Sequence, residues 1–273
     1  MTDIDKKVIT DFGSEWKAFN QSYLFNNGLL ESFMDYFHFF PLDQIDKTKE
    51  GFDMGCGSGR WARIMANKCK ILNCIEPSQA IEVAKENLKS FSNVNFFNET
   101  AESCKLSNNT QDFGYCLGVL HHTTHTIEGL QRCYDILKPN SPFLLYMYYN
   151  FDNRPIWYKY LWKLSNVIRI IISNLPFILK YFFSVLIGFF IYIPLSRIAL
   201  IFEMMGFEIH NFPLSSYRKK PIIFLLTDSL DRFGTKLEKR YSKIELRIML
   251  EKAGFRKISF SDSAPYHLIL AYK

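Results

Sequence analysis

The stretch GFDMGCGSGRWA, residues 51–62, places Gly55, Gly57 and Gly59 at alternate positions, behind Asp53 and ahead of a run with helical spacing. Glycine reaches positive φ and lets a ligand lie against bare main chain. A helix start after such a turn offers unpaired N–H groups. The chemistry these residue types suit is a cradle for a nucleotide-like ligand. A plain strand-to-helix turn accounts for one glycine, not for three. The phosphate loop G-x-x-x-x-G-K-[ST] is absent. The dinucleotide fingerprint G-x-G-x-x-G/A, counted from Gly55, puts the long side chain of Arg60 where the helix must pack close. Counted from Gly57 it survives as a degenerate match ending on Ala62.

Such a cradle needs a strand end, a turn and a helix start held together. From residue 51 onward, strand-like and helix-like runs alternate: GFDM and RWARIMANK; KILNCIE and SQAIEVAKENLKSF, the latter opened by Ser78 as a cap; NVNFF; DFGYCLGV and TIEGLQRCYDILK; then SPFLLYMYY. This predicts a parallel sheet covered on both faces. The alternation stops over residues 150–240. It resumes with SKIELRIMLEKAG, ended by Gly254, and with KISFSD and YHLILAYK, a hairpin at the sheet edge. Residues 1 to about 45 read as helical. The expected organisation is an N-terminal helical segment over 1–45, the ligand-binding half of an α/β domain over 46–150, a helical lid or insertion over 151–240, and a helix with strands completing the sheet over 241–273.

The run D-x-G-C-G-x-G from Asp53 to Gly59 resembles the first motif of the class I S-adenosylmethionine-dependent methyltransferases. Four further stretches continue the resemblance in order: NCIEPS with Glu76, NETAES with Thr100 and Ala101, DFGYCLGVLHH from Asp112 to His122, and LKPNS from Leu137 to Ser141. Together they span 51–145. The resemblance implies S-adenosylmethionine as cofactor. It also implies a Rossmann-like α/β fold whose seven-stranded sheet has the order 3-2-1-4-5-7-6, the last strand antiparallel. Asp53 is then expected near the cofactor's amino group, with Gly55, Cys56, Gly57 and Gly59 as the floor of the site. Glu76 is expected to accept from the two ribose hydroxyls, a task that two carboxylate oxygens suit. Thr100 and Ala101 fall at the adenine edge, and Leu117 and Gly118 along the methionine part. Two positions depart from the family pattern. Thr100 stands where the family has Asp, with Glu99 as the neighbouring substitute, and Asn140 replaces the first glycine of the last motif, where its tolerance of left-handed backbone keeps the turn.

Methyl transfer from a sulfonium is an in-line displacement with an activated leaving group, so the protein must align an acceptor and exclude water. A base helps when the acceptor is a hydroxyl or a protonated amine. His121 and His122, at the carboxyl end of the fourth strand, are weak candidates for that base. Tyr149, leaving the fifth strand, is another. His121, His122 and His125 have no nearby acid to complete a metal set, and no metal is expected.

The segment 151–220 holds nine Lys or Arg and three acids, an excess of six that equals the +6 of the whole chain. It also holds the longest apolar run, YFFSVLIGFFIYIPL, 15 residues without a charge, where a bilayer span wants about 20. Pro176 and Pro194 are expected to break it. Three alternatives stay open: a helical lid with an apolar inner face, a lid whose basic flanks rest on anionic lipid or grip an anionic substrate, and a full span. Asp228, Asp231 and Arg232 further along read as a buried polar network, a substrate contact or a surface ion pair. Nucleic acid is disfavoured, because the positive charge is mixed with apolar helix. Six cysteines without metal-type spacing and a polar N-terminus without an apolar leader suggest a reduced, cytoplasmic protein, with membrane association through 151–220 as the alternative.

The expected function is an S-adenosylmethionine-dependent methyltransferase acting on a small-molecule acceptor, apolar or lipid-linked. The alternatives are a non-catalytic cofactor-binding or membrane-associated accessory protein of the same fold, and an NAD-type oxidoreductase through the degenerate Gly57 match.

Overall fold

The structure, a computed structural model, describes residues 3–18 and 28–273. The chain forms two compact units, Met1–Asn150 with Leu237–Lys273, and Phe151–Lys236.

In chain order the first unit begins with helices α1 (Asp3–Ala18) and α2 (Leu29–Phe37). Of the segment 1–45 expected to be helical, α1 and α2 cover 3–18 and 29–37, residues 38–45 hold only a 3-10 turn at Leu42–Gln44, and 19–27 lie outside the described residues. Then follow β1 (Glu50–Met54), α3 (Arg60–Met65), β2 (Ile71–Ile75), α4 (Ala80–Asn87), β3 (Val94–Phe97), β4 (Phe113–Leu117), α5 (Thr126–Ile136) and β5 (Pro142–Tyr146). The second unit holds α6 (Ile156–Ser173), α7 (Phe177–Ile187), α8 (Ile193–Met204) and α9 (Ile222–Gly234). The chain returns with α10 (Lys243–Lys252), β6 (Arg256–Phe260) and β7 (Leu268–Tyr272). Ser242 and Glu245 form a reciprocal capping box at the start of α10, and Gly254, at φ 101°, stops it.

The seven strands make one sheet of order β3-β2-β1-β4-β5-β7-β6. The first five pair in parallel, and β7 runs antiparallel to both β5 and β6. The sequence-based order and the closing hairpin are both found. Strand residues alternate between two cores, as period-two side chains must. Leu72, Cys74, Phe113, Tyr115 and Leu144 pack on one face beneath α2 and α3. Phe52, Met54, Ile75, Cys116, Phe143 and Leu145 pack on the other. Gly51 and Gly114 fix the β1–β4 pairing. Each lies opposite a phenylalanine, Phe113 and Phe52, and a Cβ on either would meet that ring at 2.3 or 2.1 Å.

The second unit corrects two expectations. Pro194 does not break the apolar run. One helix continues from Phe177 to Met204 through a π turn at Gly188–Tyr192. An α-helical Pro194 would clash with a carbonyl of the preceding turn and leave it unpaired; the wider π turn displaces those carbonyls. Nor is the inner face apolar. Lys180, Ser184 and Ser196 are buried, while Ile178, Phe182, Phe183 and Phe190 are exposed.

Candidate cofactor site

The glycine turn leaves the end of β1 with three left-handed residues, Gly55 at φ 78°, Gly57 at 54° and Gly59 at 78°. Any other residue is strained in this region. Space is short as well. A Cβ on Gly55 would stand 2.3 Å from Cγ2 of Val119, and one on Gly59 2.8 Å from Cδ1 of Leu88. The N–H groups of the turn are committed inside the protein. Those of Gly55 and Cys56 donate to the Ile75 carbonyl at 2.8 and 3.1 Å, that of Gly57 to Glu76 Oε2 at 3.1 Å, and that of Gly59 to the Cys56 carbonyl at 2.9 Å. What the turn presents is bare main-chain surface.

Glu76 ends β2 directly beside that surface. Its two oxygens are held apart by separate donors: Oε2 takes the Gly57 N–H, and Oε1 takes the Ser78 N–H at 2.9 Å. Ser78 also accepts from the Ala80 N–H at 3.1 Å; the residue expected as the cap of α4 lies one position before its N-cap, Gln79. Burial pushes the Glu76 carboxyl upward, and the Ser78 and Gly57 donors oppose the shift. Each oxygen keeps a lone pair, so the carboxylate can still accept from two hydroxyls.

Asp53 lies on the sheet face shared with Cys74 and Tyr115, its register partners in β2 and β4. Burial raises it to about 8, partly opposed by the Tyr115 hydroxyl. Its Oδ2 is buried without a hydrogen-bond partner. The neutral carboxyl is thus a poised acceptor for a cation and belongs to the turn's underside. Cys56 likewise faces inward. Its thiol contacts the Gly57 carbonyl, and Cys74 and burial hold it protonated, so it serves through its backbone.

The wall of the site is a cavity of about 50 Å³. Met54, Gly55, Ile75 and Pro77 form one side, Glu99, Thr100, Ala101 and Glu102 a second, and Val119, His122 and Thr123 a third. Asp5, Val8 and Ile9 of α1 close it. The Asp5 carboxylate accepts from the Thr124 N–H at 3.0 Å and its hydroxyl at 2.6 Å. Phe12 sits edge-on to His122, ring centroids 5.1 Å apart. Sequence reasoning missed this contribution of α1; the apolar i, i+4 spacing of Val8 and Phe12 beside Asp5 was the available signal. The Glu99 carboxylate turns back on its own loop and accepts from the Lys105 N–H at 2.8 Å, and the Thr100 hydroxyl pairs with that of Ser103 at 2.7 Å. Gly118, at φ 82°, faces open space, while Leu117 packs into the core beneath α2.

His121 is fully buried and stacked on Tyr148 with centroids 3.9 Å apart. Burial, then His122 and Arg240, push it well below the usual histidine range, so it is neutral, and neither ring nitrogen has a hydrogen-bond partner. His122 borders the cavity, and its Nδ1 lies 2.7 Å from the Leu237 carbonyl. That nitrogen must therefore carry the proton, which leaves Nε2 as an acceptor. Tyr149 is placed elsewhere: its ring packs on Tyr266 and His267, and it is not part of the cavity wall. Of the later polar residues, Asp228 accepts from the Tyr217 hydroxyl at 2.7 Å and Arg232 reaches Ser165 at 3.2 Å, both within the second unit.

Residues 52–145 match the methyltransferase domain family. Over those residues the chain is similar to a methyltransferase domain, as the order of the motifs implies. The sheet agrees: a dinucleotide fold has the order 3-2-1-4-5-6, whereas here an antiparallel β7 sits between β5 and β6. Similar folds occur in one chain of a Haloferax volcanii complex between the Trm112 methyltransferase activator and a candidate methyltransferase (11 % identity, 96 % of each chain, TM-score 0.54). Another is a possible exported protein from Bordetella parapertussis (15 % identity, 89 % of this chain and 67 % of that one, TM-score 0.51). A candidate methyltransferase from Bacillus halodurans aligns over 79 % of this chain at 14 % identity and TM-score 0.47; the match spans 66 % of its length, under two thirds. No curated protein sequence matches the chain. The methyltransferase cofactor fits the residues present: the left-handed glycine surface, the orphaned Asp53 oxygen and the doubly held Glu76 carboxylate form an acceptor-rich cradle.

Proposed function

We propose that this protein methylates a small-molecule acceptor, apolar or lipid-linked, using S-adenosylmethionine. The observation that carries the proposal is the Glu76 carboxylate, fixed by Gly57 and Ser78 next to a turn stripped of side chains. S-adenosylmethionine supplies a methyl group on a sulfonium. Gly55, Gly57 and Gly59 would bear the nucleoside, Glu76 would accept its ribose hydroxyls, and the loop Glu99–Ala101 with Pro77 would flank the base. Gly118 leaves room for the methionine part, and a bound ammonium near Asp53 would favour the ionised form of its carboxyl. Val8, Ile9 and Val119 keep water out of the site. His122 Nε2 can take a proton from an acceptor hydroxyl or ammonium. His121, neutral and enclosed, positions Tyr148 and His122 by ring stacking. The test is to incubate the protein with methyl-labelled cofactor and, separately, lipid and water-soluble fractions of a cell extract. Label in a product from either fraction names the acceptor class; label in neither, with cofactor bound, contradicts methyl transfer.

A further inference from the structure

In the second unit α9 buries Phe224, Leu225, Leu230 and Phe233, but α6 and the 177–204 helix turn polar residues inward and large apolar residues outward. In a water-soluble bundle the apolar stripe of each helix faces its neighbours and the charges face solvent. Along the 177–204 helix the buried line is Lys180, Ser184, Gly188, Tyr192, Ser196 and Ala199. The exposed line holds Ile178 at 80 % exposure, Phe182, Phe183, Phe190 at 76 %, Ile201 and Met204. In α6 the pattern repeats: Arg169 and Ser173 are buried, while Tyr160, Leu164, Ile168 and Ile171 are exposed.

Part of the polar interior is paired within the unit, while the Ser184 hydroxyl has no partner among the described residues. Arg169 donates from Nη1 to the Thr235 and Lys236 carbonyls at 2.9 and 3.1 Å and from Nε to Asn166 at 2.7 Å. Ser229 donates to the Ser184 carbonyl at 2.7 Å. A Cβ on Gly188 would reach Leu226 at 2.7 Å, so α9 crosses there at close range. Small and hydroxyl residues at helix contacts, with large apolar residues outward, are what a lipid solvent selects, because lipid rewards packing and paired polar groups inside and costs nothing for apolar groups outside.

Between Leu164 and Phe202 no exposed residue is charged. Arg169 and Lys180 are buried, and Arg197 donates to the Arg218 and Lys220 carbonyls. The 177–204 helix has 28 residues, about 42 Å of rise against a hydrocarbon thickness of about 30 Å. Only 22 % of its most apolar window is buried in the protein, unlike a core helix. Lys159 and Lys163 precede the uncharged surface, and Lys219 and Lys220 follow it. Phe151–Lys236 is inserted between two parts of the first unit, where the Asn150 N–H donates to the Tyr241 carbonyl at 3.0 Å.

We infer that residues 164–202 are embedded in a lipid bilayer bearing anionic headgroups, with the outer faces of α6 and of the 177–204 helix in the hydrocarbon and the flanking lysines at the headgroups. A second copy of this chain would also cover apolar surface. Two segments that each carry six excess positive charges repel, whereas anionic lipid attracts them. The inference does not depend on the acceptor or on methyl transfer.

The test uses the full chain, purified in mild detergent and mixed with vesicles of phosphatidylcholine alone or with phosphatidylglycerol. The chain should float with both and bind more tightly when phosphatidylglycerol is present. Brominated phosphatidylcholine should quench fluorescence that Trp157→Phe removes, since Trp157 lies on the exposed face of α6. The pair Phe182→Asp and Phe190→Asp should weaken flotation by about a hundredfold while S-adenosylhomocysteine binding by the first unit persists. Lys219→Glu with Lys220→Glu should remove the phosphatidylglycerol preference alone. The inference is overturned by a chain that stays monodisperse without detergent and floats with neither vesicle. It is also overturned by a lipid-independent dimer that the aspartate pair dissolves, or by absent bromine quenching.

Discussion

Replacing Glu76 by alanine separates a binding role from a structural one. In the folded protein the carboxylate is buried and accepts the Gly57 and Ser78 N–H groups. Losing it strands both donors, at about 1–3 kcal/mol each. Losing it also relieves a buried charge, and the upward shift of its carboxyl shows that burial outweighs the two donors. These contributions oppose each other, so stability should change by no more than about 1 kcal/mol. Binding has no such offset. Hydrogen bonds from two ribose hydroxyls to a charged acceptor are worth about 1.5–3 kcal/mol, so the affinity for S-adenosylhomocysteine should fall about ten- to hundredfold. Glu76→Gln should do no better than alanine, because its two oxygens now accept from two different N–H groups and an amide nitrogen would meet one of them donor to donor. Titration calorimetry reads the affinity, and thermal unfolding of the free protein reads the stability. Unchanged affinity, or a large drop in melting temperature with normal affinity in the folded fraction, would refute the reasoning.

Other outcomes follow from single contacts. The Asp53 carboxyl moves from an ordinary 3.8 to about 8 on folding, so the folded state holds its proton more tightly. Stability should therefore fall as pH rises across that window, and Asp53→Asn should flatten the profile measured by urea unfolding. If a bound ammonium favours the ionised form, S-adenosylhomocysteine affinity rises with pH up to about 8 in the native protein and not in Asp53→Asn; a flat native profile would remove Asp53 from the site. Gly55→Ala should destabilise by at least about 1–2 kcal/mol from left-handed backbone alone, with Val119→Ala recovering only the steric part, as read by a double-mutant cycle. Asp5→Ala should release α1 from Thr124 and quicken cofactor association in stopped flow, because the cavity of about 50 Å³ beneath α1 is far smaller than the roughly 300 Å³ of ordinary ligand pockets; unchanged rates would mean that α1 does not gate entry.

The sheet order and the glycine turn were legible because both are written in local pattern. Alternating strand and helix runs leave few topologies, and a left-handed turn demands glycine at fixed positions. Glu76 was legible through its place at the end of β2. What escaped was set by tertiary placement. Asp53 was expected near the cofactor's amino group, but its burial beside Tyr115, set by strand parity, was not legible. Tyr149 leaves β5 beside Tyr148, but the C-terminal hairpin draws it to Tyr266 and His267. The part of α1 in the site comes from residues more than a hundred positions away from Thr124, a distance no periodicity spans. In the second unit the pattern was visible but its sense was not. Apolar periodicity gives a stripe and cannot say whether that stripe faces inward; the burial of Lys180, Ser184 and Ser196 decides it. Pro194 misled because a proline breaks an α-helix and not one that carries a π turn just before it.

The most direct measurement is a crystal structure of the protein with S-adenosylhomocysteine. The account predicts the nucleoside against the main chain of Gly55, Gly57 and Gly59, both ribose hydroxyls on Glu76, and α1 displaced from its present seat over Pro77 and Val119. A ligand bound away from this turn, or a ribose held by other groups while Glu76 keeps only Gly57 and Ser78, would contradict it.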